Sequence, residues 1–405
     1  MNKNIDPRLT KISCCEVCDN EDITVELDLG HHPLSDDLVK FGDERKNNEY
    51  PITIGFCGVC NTAHQIYQVP KTELFHKDYS YRARMTGSVL RGMSDLVDSI
   101  EERFGDLNQK KVLDIGSNDG SLLNYFEEKG AKTFGVEPTR AALESRHQTI
   151  NAFFDEDSSM KVKEEFGSPD FITFTNVFAH IEDLNGLLAN LKNLITDNTI
   201  LVIENHYLGA CLETGQFDTF YHEHPRTYSK KSFDFIAEKL GLGLIDVQFV
   251  SRYGGNIRAY MGKSDMTKSV EVDETNFLDL FKEMNEDLSR WKGATKQEIL
   301  SIVEAQGKIK AKAFPGRATI LIKLLGLDEK HISAVYEITG SIKVDHYVPG
   351  TRIPILPEAK LYSDTDQDEL ILNLAWHLPE EVRANLTKNG YRGEVIDIKK
   401  ANFKG

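Results

Sequence analysis

Long apolar runs and an excess of positive charge are both missing from this chain of 405 residues. No apolar stretch reaches the roughly 18 residues that a membrane-spanning helix needs, and the first residues lack the apolar core of a signal peptide. The chain carries 64 acidic and 48 basic side chains, for a net charge of −16. A general nucleic-acid binder needs clustered Lys and Arg, so we predict a cytoplasmic protein without a nucleic-acid or membrane partner.

Cysteine is also scarce, with six residues in the whole chain. A chain this long builds its own apolar core, so a disulfide frame is neither needed nor expected in a reducing compartment. Four of the six nevertheless form two C-x-x-C pairs that stand 38 residues apart. Four thiolates close the tetrahedral shell of zinc and leave no open position for catalysis. We therefore predict a structural zinc site with the ligands Cys15, Cys18, Cys57 and Cys60.

Two alternatives to this ligand set remain open at the level of sequence. The cysteines could be ordinary buried residues, and Cys14 adjoins Cys15, although the C-x-x-C spacing favours Cys15. His31, His32 and His64 are substitute ligands in principle, but we interpret all three as loop residues.

The residue pattern divides the chain into three parts. Residues 1–75 show short strands and turns, too little for an independent core without a metal. Residues 76–110 favour an amphipathic helix, and from Lys111 strands alternate with helices, which indicates a parallel sheet covered on both faces. Helical patterns at 274–289 and 296–313 come before a second strand-and-helix region. We predict an α/β protein with a zinc-binding domain (1–75), a Rossmann-like domain (76–262) and a second, Rossmann-like α/β domain (263–405).

A glycine turn follows the first strand of the middle part. Asp114 ends an apolar run, Gly116 and Gly120 allow a sharp turn beside a ligand, and Glu137 ends the next strand. An acid at that position can accept the hydroxyl groups of a ribose. The turn lacks the G-x-G-x-x-G pattern of NAD sites, and it is more like the first motif of S-adenosylmethionine (SAM) methyltransferases. A purely structural turn is the alternative. The predicted cofactor-binding residues are Asp114, Gly116, Ser117, Asn118, Gly120, Glu137 and Asn176.

A dense polar cluster occurs at Tyr221, His222, Glu223 and His224. A base that takes a proton from carbon must be held close to it, and a neighbouring phenol or acid can stabilise the oxyanion that forms. His180 follows a predicted strand at the edge where open α/β sheets bind ligands. A metal site at His222 and His224 is weakly supported, because no third ligand lies nearby in sequence.

The ordered motifs resemble those of the sugar C-methyltransferase family over nearly the whole chain. The motifs that carry the resemblance are the zinc cysteines, residues 27–33, 116–120, 176–180, 217–224, 254–258, 349–355 and 374–376. The resemblance implies that the middle domain binds SAM and that a nucleotide-linked 4-keto sugar lies between the middle and C-terminal domains.

The resemblance also implies residue roles. His224 is the expected base that removes the proton next to the ketone, Tyr221 and His180 contact the sugar oxygens and the enolate, and Glu223 orients the pocket. No redox cofactor or catalytic metal is expected. The expected substrate contacts are Tyr79, His222, Asn256, Arg258 and Arg317.

The sequence departs from the family in its C-terminal part. The family's lysine-containing turn is replaced by residues 314–320, and His377 stands where the family has asparagine after Ala-Trp. Arg317 is interpreted either as a phosphate ligand or as a solvated surface residue. The departure leaves open an O-methyltransferase, an enzyme acting on another phosphorylated carbohydrate, and a non-catalytic module that holds SAM. The oligomeric state is open, and a monomer is compatible with the sequence.

Overall fold

The structure of the chain is a computed structural model that describes residues 6–75, 81–263, 271–364 and 366–400. Three units follow one another along the chain, each built around its own sheet. No helix within these ranges is both long enough and apolar enough to cross a membrane.

The first unit is a small antiparallel β structure. Its strands are β1 (Thr10–Lys11), β2 (Thr24–Pro33), β3 (Val39–Lys40), β4 (Glu49–Cys57), β5 (Thr62–Gln65) and β6 (Tyr67–Gln68), followed by helix α1 (Lys71–Leu74). The strands predicted within residues 1–75 are confirmed, although β2 and β4, with 10 and 9 residues, are not short. His31 and His32 lie in β2 and His64 lies in β5, so the interpretation of these histidines as loop residues is wrong.

The second unit holds a seven-stranded sheet. The strands of this unit are β7 (Lys111–Ile115), β8 (Lys132–Val136), β9 (Thr149–Ile150), β10 (Phe171–Thr175), β11 (Ile200–His206), β12 (Arg226–Thr227), β13 (Gly243–Val250) and β14 (Asn256–Gly262), and all except β12 belong to this sheet. The order across the sheet is β13-β14-β11-β10-β7-β8-β9, and β14 alone runs antiparallel to its neighbours. The predicted parallel sheet is thus confirmed, with its carboxyl edge beside the glycine turn.

Helices cover this sheet as the alternating pattern predicts. They are α2 (Gly87–Phe104), α3 (Ser121–Glu128), α4 (Glu156–Glu165), α5 (Leu184–Lys192), α6 (Leu208–Glu213) and α7 (Lys230–Leu240). In α2 the buried residues recur at helical spacing, so that one face of the helix packs on the sheet. Helix α7 ends at Gly241, whose left-handed backbone (φ 74°) favours glycine.

The third unit is a second parallel sheet with helices. It contains α8 (Phe277–Gln306), β15 (Ile309–Lys312), α9 (Ala318–Leu325), β16 (Ile332–Glu337), β17 (His346–Tyr347), β18 (Ile355–Pro357), α10 (Glu358–Asp364), β19 (Ile371–Asn373), α11 (Pro379–Lys388) and β20 (Val395–Asp397). The sheet order is β18-β16-β15-β19-β20. The two helical stretches predicted at 274–289 and 296–313 are wrong in two respects. They form one helix of 30 residues, and the last part of the second is strand β15.

The three units are joined by shared sheets as well as by the chain. Strand β12, which belongs to the second unit in sequence, is the outer strand of the first unit's sheet, in the order β12-β5-β4-β2. Strand β17 of the third unit pairs with β3 of the first. One apolar core contains buried residues from all three units. The domain limits at 75 and 262 stay a prediction, because this pairing crosses them.

Candidate active site

Four thiolates meet in the first unit. The Sγ atoms of Cys15, Cys18, Cys57 and Cys60 all lie within 4.8 Å of one another. Cys15 Sγ lies 3.4 Å from Cys60 Sγ, and Cys18 Sγ lies 3.6 Å from Cys57 Sγ. Tetrahedral zinc with Zn–S bonds of about 2.3 Å needs sulfur atoms at about this separation. The donor set therefore fits zinc, with all four positions supplied by protein.

His64 supports this cluster from outside it. Its Nε2 lies 3.3 Å from Cys15 Sγ, a hydrogen-bonding distance, and its other ring nitrogen lies 3.6 Å from the carboxylate of Glu16. A histidine between a ligand and a carboxylate orients the ligand rather than replacing it. His32 is buried elsewhere and contacts the Leu29 carbonyl through its Nε2. Cys14 lies outside the four-cysteine cluster.

The glycine turn has the shape of a ligand cradle. Gly116 (φ 76°) and Gly120 (φ 77°) both adopt the left-handed conformation that favours glycine. A Cβ on Gly116 would lie 2.5 Å from Cγ2 of Val177, so only glycine lets the loop after β10 approach the turn. Ser117 Oγ is buried without a hydrogen-bond partner among the described residues. A tight backbone turn and an unpaired buried hydroxyl fit a nucleotide ligand.

Two acidic side chains lie below the turn. Glu137 accepts hydrogen bonds from the backbone N–H groups of Asn118 (3.0 Å) and Thr139 (2.8 Å). Because a carboxylate accepts about four hydrogen bonds, capacity remains for ribose hydroxyls. Asp114 is buried and accepts a bond from the Thr173 hydroxyl at 2.7 Å. Burial, with the nearby Glu137, raises the pKa of Asp114 to about 7. Asp114 therefore stabilises the turn through its contact with Thr173 of β10.

Asn176 and Asn256 meet at the carboxyl end of β11, the strand that lies between β10 and β14. Asn176 (φ 54°) follows β10, and its Oδ1 accepts from Asn256 Nδ2 at 3.1 Å. Asn256 Oδ1 is buried without a partner in the described part of the chain. Arg258 is committed within the sheet, since its Nε donates to the carboxylate of Glu204 at 2.7 Å. Asn256 therefore lies near the glycine turn, whereas the guanidinium of Arg258 is held within the sheet by Glu204.

The polar cluster forms a compact aromatic group. The ring of His224 lies 4.4 Å from that of Tyr221, 4.8 Å from that of His180 and 5.2 Å from that of His206, measured between centroids. His224 Nδ1 lies 2.9 Å from the Thr219 carbonyl, which can only accept a hydrogen bond, so Nδ1 carries the hydrogen. Its Nε2 is left without a partner among the described residues and is the nitrogen able to accept a proton.

Burial keeps these groups neutral. Desolvation, reinforced by His180 and His206, holds the pKa of His224 well below its usual value of 6.5. Desolvation also lowers the pKa of His180 to about 4, against a hydrogen bond from its Nδ1 to the Glu223 carbonyl at 2.7 Å. The pKa of Tyr221 is raised well above 10 for the same reason, so its hydroxyl keeps its proton. At neutral pH the cluster thus offers imidazole bases beside a phenol donor.

His206 is a cluster member that sequence reasoning missed. It ends β11, and burial lowers its pKa to about 3. The signal was present, because Glu204, Asn205 and His206 are a polar run at the carboxyl end of a buried parallel strand.

His222 and Glu223 point toward the first unit. His222 Nε2 lies 3.1 Å from the Tyr50 carbonyl, so the two histidines of the cluster do not share a metal. Glu223 is buried and lines a cavity of about 170 Å³ together with Tyr50, Asp36 and other residues of the first unit. Tyr79 lies outside the described residues.

Arg317 occupies the altered turn of the third unit. It is 8% exposed, so its interpretation as a solvated surface residue is wrong. Its Nε and one terminal nitrogen donate to the two oxygens of Asp218 at 2.7 and 3.0 Å. Trp376 Nε1 donates to the same carboxylate at 2.8 Å, and its ring lies beneath Lys399 at 3.8 Å. The guanidinium of Arg317 already has a carboxylate partner. Its role as a phosphate ligand stays a prediction.

The link between the turn and the cluster is the loop after β10. Val177 packs on Gly116, and three residues later His180 packs on His224. The predicted cofactor residues and the predicted base therefore face the same end of the seven-stranded sheet.

Three protein families match adjoining parts of the chain. Residues 15–75 match a family described as a putative zinc binding domain, and residues 81–247 match one described as a methyltransferase domain. Residues 251–396 match a family described as the C-methyltransferase C-terminal domain. The C-methyltransferase NovU of Streptomyces niveus is 24% identical over 387 residues, covering 92% of this chain and 91% of that one.

Solved structures resemble part of the chain at low similarity. A magnesium protoporphyrin IX methyltransferase (ChlM) of Synechocystis PCC 6803 with bound SAH is 14% identical, with a TM-score of 0.34, over 44% of this chain and 84% of that one. The PH0226 protein of Pyrococcus horikoshii OT3 is 14% identical, with a TM-score of 0.37, over 48% of this chain and 98% of that one.

The three adjoining matches give the chain a putative zinc binding domain, a methyltransferase domain and a C-methyltransferase C-terminal domain, and the chain is a methyltransferase. SAM, the donor for the methyltransferase domain, and zinc, held by the four-cysteine cluster, are its cofactors.

Proposed function

Starting from a methyltransferase with this domain set, we propose that the chain methylates the carbon next to the ketone of a nucleotide-linked keto-deoxysugar. The observation that carries the proposal is the buried His224, whose Nδ1–H is fixed on a carbonyl while Nε2 stays available. A neutral imidazole beside a phenol is suited to removing a proton from carbon. The resemblance of the chain to sugar C-methyltransferases supports the substrate class.

The residues act in sequence on the substrate. His224 Nε2 takes the proton next to the ketone, the hydroxyl of Tyr221 donates a hydrogen bond to the enolate oxygen, and His180 contacts a sugar hydroxyl. Burial excludes water from the carbanion and strengthens these contacts. SAM, when bound at Gly116 to Gly120 and Glu137, supplies an electrophilic methyl group to the same end of the sheet. We also propose that the reaction takes place in the cytoplasm as part of unusual-sugar or polysaccharide synthesis.

The first test is a panel of 4-keto-6-deoxy sugar nucleotides that differ in their nucleotide. The purified protein with SAM should release S-adenosylhomocysteine with at least one of them. Carbon-13 NMR of the product from ¹³C-methyl-labelled SAM should show a methyl group on carbon. If calorimetry shows SAM binding but no sugar nucleotide of the panel causes S-adenosylhomocysteine release, the proposed substrate class is wrong.

The His224→Asn variant tests the base. Asparagine keeps a polar group at this position but offers no imidazole, so turnover should fall by about 10²–10⁴-fold. SAM affinity, measured by calorimetry, should stay unchanged. The control is His331→Asn, a partly exposed histidine of the third unit that pairs with Asp328. If the His224→Asn variant turns over substrate as fast as the control variant, His224 is not the base.

The altered turn of the third unit motivates a second candidate. Since Arg317 is paired with Asp218, a substrate of another shape could be methylated on oxygen by the same scaffold. The NMR experiment separates the two, because O-methyl carbon resonates far from C-methyl carbon. A module that only holds SAM is disfavoured by the buried base, which a binding protein does not need.

A further inference from the structure

The loop from Tyr221 to His224 is attached to the first unit along its length. Strand β12 follows the loop directly and pairs antiparallel with β5, placing Arg226 opposite His64. The backbone N–H of Gln65 donates to the Pro225 carbonyl at 2.8 Å. The Gln65 side chain donates to the Tyr221 carbonyl at 3.3 Å, and His222 contacts the Tyr50 carbonyl. The register of the loop is therefore set by strands β4 and β5 of the zinc-bearing sheet.

Arg226 is the junction of this attachment. Its side chain is fully buried, and one terminal nitrogen lies 2.6 Å from the carboxylate of Glu16. Its Nε donates to the Tyr228 hydroxyl at 3.0 Å. The other terminal nitrogen donates to the backbone carbonyls of Ile181 and Glu182. Ile181 directly follows His180, so one guanidinium contacts the segments that carry His180 and His224.

Glu16 connects the same guanidinium to the metal cluster. It lies between Cys15 and Cys18 in sequence, and its carboxylate also accepts from Gln68 Nε2 at 2.7 Å. His64 stands between this carboxylate and Cys15 Sγ. A buried guanidinium and carboxylate hold a fixed geometry when their remaining donors and acceptors are also satisfied.

We propose that Glu16 and Arg226 are a positioning pair that holds the loop of His224 and the segment of His180 in one fixed arrangement. The pair connects these two segments to the loop of Cys15 and Cys18, so the zinc-binding unit is part of the active site. It explains why β12 belongs to the first sheet although its neighbours in sequence belong to the second. The catalytic meaning of the pair rests on the proposed function, whereas its effect on the loop does not.

The test is the Glu16→Gln variant of the full-length protein. Glutamine keeps the shape but removes the charge that faces Arg226. Hydrogen–deuterium exchange should rise in a peptide covering residues 217–228 and stay unchanged in one covering 111–136. Zinc should stay at one ion per chain and SAM affinity should stay unchanged, while kcat falls about tenfold to a hundredfold, as small displacements of reacting groups do. Glu16→Asp, which keeps the charge, should recover part of the turnover.

The matched control is Lys239→Gln. Lys239 forms an ion pair at 2.9 Å with Asp19, which joins the same two units at the surface and away from the loop. Its exchange and turnover should equal those of the wild type. If Glu16→Gln does not fold, Arg226→Lys tests the same pair, because lysine keeps the charge but does not reach all four partners.

Three results would overturn the proposal. They are unchanged exchange at 217–228 in a zinc-loaded Glu16→Gln protein, an equal rise of exchange throughout the chain, or loss of the zinc ion in that variant. Failure of the proposed function has a different signature. The wild type would then turn over no keto-sugar, and the exchange difference at 217–228 would still be present.

Discussion

At the scale of single residues, the protonation of His224 decides when the site can act. The pKa of this histidine is held well below 6.5, chiefly because the ring is buried, and next because His180 and His206 lie beside it. Its Nε2 therefore stays unprotonated through the neutral range. We expect the acid limb of kcat/KM to lie below pH 6.5, since protonation of Nε2 removes the base. Rates with the best substrate, measured from about pH 5 to pH 8, check this. An acid limb centred at 6.5 or above would contradict it.

The site residues could be predicted where residue type and spacing together indicate a function. The four cysteines, the glycine turn and the Tyr-His-Glu-His cluster carry their signal in residue type and spacing. The partners of charged residues were not predictable, because they come from distant parts of the chain. Arg317 pairs with Asp218 and Arg258 with Glu204, and no spacing rule relates positions about 50 to 100 apart in the chain. His206 was missed although it ends the polar run of β11, because nothing in the sequence relates that run to residues 221–224.

At the scale of elements, the turn between β7 and α3 depends on glycine. Gly116→Ala would place a Cβ 2.5 Å from Val177 and force a left-handed backbone on alanine, which costs about 1–2 kcal/mol. We expect weaker SAM binding by calorimetry. Gly105→Ala is the control, because Gly105 has a similar φ of 85° but open space around it, at the end of α2. Equal SAM affinity in both variants would show that the turn tolerates the added atom.

The zinc-bearing strands are the second element that a single change should disrupt. Cys57→Ser removes one of four thiolates, and in a small unit the free energy of metal binding is also free energy of folding. We expect loss of the zinc ion and a lower midpoint of thermal unfolding. Cys14→Ser, outside the cluster, is the control and should keep both. One zinc ion per chain in the Cys57→Ser protein would contradict the ligand set.

Element types followed from periodicity, whereas element boundaries and partners did not. The patterns predicted the parallel strands β7, β8, β10 and β11, whereas β9, β13 and β14 were not predicted. Residues 309–312 looked helical because they continue a polar, lysine-rich stretch, yet tertiary pairing with β16 and β19 makes them strand β15. Strand β12 has two residues, and its pairing with β5 depends on contacts far away in sequence.

At the scale of the whole molecule, buried neutral histidines make stability depend on pH. Burial lowers the pKa of His180 and His222 to about 4 and that of His206 to about 3, and it lowers the pKa of His224 in the same direction. The unfolded chain takes up these protons near pH 6.5, but the folded chain does not. The free energy of unfolding should therefore fall as pH drops from 6.5 toward 4, by about 1.4 kcal/mol per pH unit for each histidine.

Urea unfolding at pH 7, 6 and 5 measures this dependence. The His222→Gln variant removes one of the four histidines, so its stability should fall less steeply with acid than that of the wild type. A flat dependence in the wild type between pH 7 and pH 5 would contradict the assignment.

The place of β12 in the first sheet also has a consequence for synthesis on the ribosome. His64 and its strand partner Arg226 are about 160 residues apart, and translation proceeds at roughly 5–20 residues per second. The outer edge of β5 therefore stays unpaired for about ten to thirty seconds, until β12 has been synthesised. During that interval each nascent chain presents an unpaired edge that a neighbouring chain can extend, so crowded polysomes are where this protein is most exposed to aggregation.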